Sequence, residues 1–437
     1  MPLSAQRGAD TALLRRDITY LASDALEGRL TGTPGNDSAA AYIARRYALL
    51  QLDTLAGLHD NRCVSVSALR QTIEARTGNS IRLTDRQGIA CSSPYLQPFT
   101  AKSVAAAHAG LPAALPTQNV VALLPGSDPA LRNEFVVIGA HFDHLGRSAF
   151  NALDPAAGNA IRHGADDNAS GTAAVMELAR LFAHHPPRRS LIFVNFSGEE
   201  LGLLGSQYFV DHSPVPLDHV FAMLNFDMVG RMQNDKLIVY GAATATELPG
   251  IVDSANVAPQ FQIAKIGDGF GPSDQSSFYE KNIPVLFFFT GEHEDYHRAT
   301  DVASKIDVGD EARVVEYAGR IARALADRSA RLTYVRSASP APMAATSGRN
   351  VWFGSVPDMG ATDVAGVRLA GVTPNSPADK AGAKQGDIIV EFGGKPVKDL
   401  YAYTDALYSH QPGDVVQFKV LRDGAPVVLT ATLGKRE

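Results

Sequence analysis

Along the chain, short apolar runs alternate with stretches in which apolar residues recur every three or four positions. The runs NVVALLP (119–125), EFVVIGAH (134–141), SLIFVNFS (190–197), VFAMLNFDM (220–228), KLIVYG (236–241) and IPVLFFF (283–289) are rich in Val, Ile and Phe. Bounded by Gly, Pro or Asn, they predict buried strands. Helical periodicity lies between or after them, near 170–184, 201–211, 246–256 and 310–327. Two earlier stretches within 17–50, DITYLASDALEG and SAAAYIARRYALL, are also helical, with Asn36 or Asp37 capping the second. Residues 53–114 read as loops and short strands. Strands alternating with helices predict an α/β fold, a three-layer α/β/α sandwich around a mostly parallel mixed sheet.

The pattern breaks at RSASPAPMAATSGRN (336–350), which has no periodicity and the composition of a linker. Beyond it come short strands and Gly turns. The chain therefore divides into a large domain (1–335), a linker (336–350) and a small β-rich domain (351–437), as its 437 residues exceed what one core ordinarily serves. The net charge of -6 leaves no basic footprint for nucleic acid. No apolar run reaches the ~18 residues of a membrane span. The N-terminus lacks the apolar stretch of a signal peptide, so the chain reads as an exported protein whose signal lies outside this sequence, or as a cytosolic one. Cys63 and Cys91 suit one disulfide in the first case and two free thiols in the second.

Candidate chemistry gathers just past the predicted strands, where open α/β sheets bind their ligands. His141 follows one strand, within HFDH. Glu199 and Glu200 follow another, Asp227 ends a third, and His297 follows IPVLFFFTGEHEDY. The turn HGADDNASG adds Asp166 and Asp167. Imidazole with carboxylate oxygen is a ligand set for zinc. The number of such groups exceeds one tetrahedral ion and suits two, with Asp166 or Asp167 as a bridge.

In order and spacing these residues resemble the M28 family of zinc aminopeptidases: His141 in HFDH, Asp166 in GADDNASG, Glu199 and Glu200 in SGEELGLLGS, Asp227 in NFDMVGR, His297 in DYHRATD. DITYLASDALEGRLTGTPGN resembles the start of bacterial members. The resemblance implies one zinc on His141 and Asp227 and a second on Glu200 and His297. Asp166 would bridge them, with a cis peptide to Asp167, and Asp143 would orient His141. Glu199 would be the general base that takes a proton from the bridging water and passes it to the leaving amine. Tyr296 would hydrogen-bond the oxyanion or simply pack at a strand end. Gln275 departs from the histidine common in relatives, which leaves the pocket wall near Asp274 and Phe278 open.

Past the linker, GVTPNSPADKAGAKQGDIIVEFGGKPV (371–397) and PGDVVQFKVLRDG (412–424) resemble a PDZ domain of the bacterial protease type. This implies a C-terminal or extended peptide ligand, with Phe353, Gly354 and Ser355 as its carboxylate loop; the alternative is that this segment packs as a first strand around Trp352. The function implied is a di-zinc aminopeptidase acting on peptides, with the PDZ domain capturing substrate. Against it stand a single-zinc glutaminyl cyclase and an inactive peptide-binding module.

Overall fold

The computed structural model describes residues 8–55, 64–65, 89–90, 93–103, 111–271, 273–336, 351–357, 364–373, 375–398, 402–403, 406–407 and 409–435. Cys63, Cys91 and all but the first residue of the expected linker lie outside them. Eight strands form one sheet: β1 (Leu96–Ala101), β2 (Leu115–Leu124), β3 (Phe135–His141), β4 (Ser190–Phe196), β5 (Val220–Phe226), β6 (Lys236–Tyr240), β7 (Gln262–Lys265) and β8 (Val285–Phe289). Their order is β1-β2-β4-β3-β5-β8-β6-β7. The central four, β4, β3, β5 and β8, are mutually parallel, whereas β1 with β2, β2 with β4, and β8 with β6 are antiparallel.

The six apolar runs are strands, and β3, β4, β5 and β8 are buried along their whole lengths. Burial on both faces explains why they read as unbroken apolar runs instead of alternating ones. Val136 and Ile138 point to one core, with Ile18, Ile43, Met176 and Ile321 from α1 (Thr11–Leu21), α2 (Pro34–Leu49), α3 (Gly171–Ala183) and α7 (Val308–Asp327). Val137 points to the other, with Phe209 of α4 (Leu204–Asp211) and Phe278 of α6 (Gln275–Tyr279). The remaining helix, α5 (Leu248–Ala255), lies on the first face through Val252. The sandwich is thus three layers deep.

β1 falls within 53–114, read as loops and short strands, and β7 is additional to the sequence expectation. β1 contains Pro98 and alternates buried with exposed positions, and β7 is a four-residue strand at the opposite edge. The N-terminal caps also differ. Asp10 caps α1, its Oδ1 accepting from the Ala12 and Leu13 amides, so that helix starts before Asp17. Thr33 caps α2, not Asn36 or Asp37, because Pro34 occupies the first helical position and needs no amide partner. Asn36 is buried instead and donates to the Arg29 carbonyl at 3.2 Å.

The C-terminal region builds its own antiparallel sheet, β9 (Ser355–Pro357), β10 (Val367–Val372), β11 (Ile388–Phe392), β12 (Val415–Arg422) and β13 (Ala425–Thr432), in that order. Ser376 caps the short helix Pro377–Lys380 by accepting from Asp379 N. Phe353, expected in a peptide-binding loop, is a core residue: it is 1% exposed and stands edge-on to Phe392 and Phe418. Its ring is therefore committed to this domain's interior. Gly354 packs on Ser376, and the Ser355 hydroxyl pairs with that of Tyr403. No helix among the described residues is long and apolar enough to cross a membrane.

Candidate metal centre

Parallel pairing brings the chemistry to one edge. His141 closes β3 opposite Phe196, the last residue of β4, so the turn after β4 carries Glu199 and Glu200 to the same place. Gly139 pairs with Asn225, which sets Asp227 level with His141. β8 pairs beside β5, and the loop that follows it delivers Tyr296 and His297.

The paired aspartates resolve into two roles, reversed from the expectation. Asp167 is the one that faces both histidines: Oδ1 lies 3.4 Å from His141 Nε2, and Oδ2 lies 3.2 Å from His297 Nε2. Asp166 turns away, accepting from Gly230 N at 2.7 Å and pairing with His293 Nε2 at 3.1 Å. The cis peptide joins Asp167 to Asn168, not Asp166 to Asp167. The turn needs Gly164: its φ is +58°, and a Cβ there would lie 2.1 Å from the Asp167 carbonyl oxygen. Asp301 accepts from the amides of Asp166 and Asp167 at 3.0 and 3.1 Å, while Asn168 accepts from Gly171 N and donates to the Phe226 carbonyl. These contacts tie the turn to the end of β5.

Around Asp167 lie two groups of potential ligand atoms, each within 4.8 Å of one another: His141, Glu199 and Asp227, and His144, Asp167 and Glu200. Asp227 Oδ2 is 3.4 Å from His141 Nε2, and Glu200 Oε2 is 3.3 Å from His297 Nε2. His144, the second histidine of HFDH, is fully buried, and its Nδ1 lies 2.8 Å from Glu200 Oε1. Sequence reasoning passed over it, although it stood inside a quoted motif. Asp143 meets His141 through both its backbone and its carboxylate, whose Oδ1 lies 3.8 Å from His141 Nδ1. His141 Nδ1 sits 3.2 Å from its backbone carbonyl, and its carboxylate also accepts from Thr31 Oγ1 and from Glu199 N.

Arg29 explains the DALEGRLTG stretch. Its buried guanidinium donates to the carbonyls of Leu21, Phe142, His163 and Gly164. Burial lowers its pKa to about 10, opposed by the charges of Asp167, Asp301, Asp143 and Glu200.

Electrostatics separate the two adjacent glutamates. Burial pushes the Glu199 carboxyl well up; His141 opposes this, and Glu200, Asp274 and Asp227 add to it. Burial acts on Glu200 as well, but His297 and His144 outweigh it and hold that carboxyl well down. Asp274, in the pocket wall that the sequence left open, is fully buried and pushed up to about 7, chiefly by burial. Gln275 accepts from Asn225 Nδ2, and Ser273 donates to Asp227 Oδ2 at 2.9 Å.

Four carboxyl groups, Asp167, Glu199, Glu200 and Asp227, thus crowd one buried edge. Buried charges of one sign are costly unless cations or coordinated metals compensate them. Asp227 Oδ1 and His144 Nε2 are buried with no hydrogen-bond partner among the described residues. Nitrogen and carboxylate donors with lone pairs to spare fit zinc.

The loop that presents Tyr296 and His297 is anchored by Asp295, which accepts from Arg231 Nη1 at 2.8 Å and Lys305 Nζ at 2.6 Å. Burial alone would raise this carboxyl, but hydrogen bonds from Lys305, Thr300 and Arg231 hold it below the usual carboxylate range. A depressed folded-state pKa contributes stability above the unfolded value of ~3.9, and that contribution is lost as the pH falls towards the folded value. Asp295→Asn should therefore cost roughly 1–3 kcal/mol at pH 7. The difference from wild type in thermal melts should narrow between roughly pH 5 and pH 2. A difference independent of pH would contradict the ion-pair account.

Residues 119–322 match the model of peptidase family M28, and residues 326–433 match that of a PDZ domain. A probable zinc metalloprotease of Pyrenophora teres is 39% identical over 111 residues, covering 25% of this chain and 22% of that one. Leucine aminopeptidase 2 of Trichophyton equinum is 30% identical over 184 residues, covering 40% and 34%. The chain spans about a fifth to a third of the length of these two relatives. Among solved structures, the zinc aminopeptidase of Bacillus subtilis superposes with a TM-score of 0.51 at 17% identity, covering 75% of this chain and 98% of that one. The glutaminyl cyclase of Bacteroides thetaiotaomicron does so with 0.52 at 15%, covering 72% and 98%. These two likenesses establish a shared fold. The chain carries a peptidase domain of the M28 type followed by a PDZ domain.

Proposed function

We propose that the protein is a di-zinc aminopeptidase that removes N-terminal residues from peptides. The observation that carries this reading is the position of Asp167, whose two carboxylate oxygens face different histidines, His141 and His297, from 3.4 and 3.2 Å. His141 and Asp227 would hold one zinc, Glu200 and His297 the other, with Asp167 shared between them. His144 steadies Glu200. Zinc in such a site supplies Lewis acidity, polarising a carbonyl and acidifying water.

The remaining steps belong to the chain. Both oxygens of Glu200 are engaged by histidines, whereas the carboxylate of Glu199 approaches only to 3.9 Å of His141 Nε2. Glu199 is the group left to accept a proton from the attacking water and deliver it to the leaving amine. Tyr296 stacks on His297 with ring centroids 3.9 Å apart and lines the cavity beside the metal groups, where its hydroxyl can donate to the developing oxyanion. The likeness to leucine aminopeptidase 2 supports the aminopeptidase direction, and the PDZ domain supplies a surface for peptide.

The test is a zinc-titrated screen over free, N-acetylated and C-amidated peptides. Two equivalents per chain, with cleavage that requires a free amine and ignores C-amidation, are the expected result. One equivalent with cyclisation of N-terminal glutamine would install the cyclase reading. No turnover in zinc-loaded protein would leave a peptide-binding module.

A further inference from the structure

Two cavities adjoin at the carboxyl edge of the sheet. The one against His141, Glu199 and Asp227 has a volume of about 40 Å³, room for little beyond the reacting atoms. The second, about 400 Å³, falls in the range of ligand pockets. Glu292 and Tyr296 line both, so the two lie side by side.

The far wall of the larger cavity does not come from the peptidase domain. Arg368 and Leu369 of β10 and the turn Gln385–Gly386 before β11 supply it. The two domains touch beside this cleft. Leu153 packs on β10 at Gly371, where a Cβ would come within 2.8 Å of Leu153 Cδ2. The Leu153 amide in turn donates to the carbonyl of His297 at 3.0 Å. One short loop therefore both seats the PDZ domain and braces a proposed zinc ligand.

We infer that the cleft between the domains holds the peptide residues downstream of the scissile bond, with the PDZ domain forming one wall of the substrate site. The inference rests on the aminopeptidase reading only for which end of the peptide enters the small cavity. Glu294 and Arg298 line the cleft on one side and Arg368 and Gln385 on the other, so polar and charged side chains of both signs alternate with the apolar surface of Leu153 and Leu369. Such a lining suits an extended peptide, whose N–H and C=O groups need partners along its length. The site uses neither Ser355 nor β9. The domain acts here through a different surface from an edge strand that captures chain ends.

The test compares wild type with Gln385→Trp, an exposed turn position, and with Arg368→Glu, both in the full chain. The two substrates are an aminoacyl chromogenic amide and a hexapeptide with the same N-terminal residue. Both variants should raise KM for the hexapeptide about 10-fold and leave the amide within about two-fold of wild type. Equal effects on both substrates, or none on either, would overturn the inference. A hexapeptide with a benzophenone at its fourth residue, cross-linked and mapped by mass spectrometry, reads the cleft without turnover. Adducts at 368–369 or 385–386 support it, and adducts confined to β9 or to the peptidase domain refute it. Absence of turnover on both substrates in wild type would instead overturn the aminopeptidase reading, with the cross-link map still deciding the cleft.

Discussion

Glu199→Gln should lower kcat by about 10³-fold while the protein keeps two equivalents of zinc. The substitution preserves the shape of the side chain and removes its basicity. Glu200, next in sequence, keeps its bonds to His144 and His297, so the group around it should remain intact. The measurement pairs kcat with metal content after dialysis. Glu199 also lies within 4.8 Å of potential ligand atoms on His141 and Asp227, which gives the experiment its discriminating power. Zinc lost together with activity would make Glu199 a ligand, and near-wild-type kcat would remove it from the chemistry altogether.

The second large effect separates the adjacent aspartates. Asp167→Asn removes the charge that faces both histidines, and zinc affinity should fall by more than ~100-fold, beyond what loss of a supporting contact costs. Asp166→Asn should keep both metals. Its carboxylate serves Gly230 N and His293, so the cost should appear as a loss of roughly 1–3 kcal/mol in thermal stability. Equilibrium dialysis with metal analysis on the two variants decides the matter. Zinc lost from Asp166→Asn and retained by Asp167→Asn would restore Asp166 as the shared carboxylate.

That pair also marks how far the sequence can be read. HGADDNASG shows that two carboxylates stand before a helix at a sheet edge. Which one points inward depends on the turn, and a turn with Gly164 at positive φ and a cis Asp167–Asn168 peptide has no regular side-chain period. Asp301, which fixes that turn through two backbone amides, is 134 residues away from Asp167. Nothing local announces it. His144 was visible within HFDH, but its engagement with Glu200 depends on β3 and β4 lying side by side. Phe353 likewise sat in a stretch that resembled a binding loop, and only packing against Phe392 and Phe418 shows where its ring is spent.

The sequence by itself determined the six main strands, because a strand buried on both faces is apolar at nearly every position. It determined four of the residues at the centre as well, His141, Glu200, Asp227 and His297, because each lies just past such a run. Only the tertiary structure decided how the strands neighbour one another, which aspartate faces inward, and that the second domain lies against the mouth of the site. Pairing order, side-chain direction in a turn and contact between domains are all set by groups far apart in the chain. Each is fixed by energies that exist only once those groups have met.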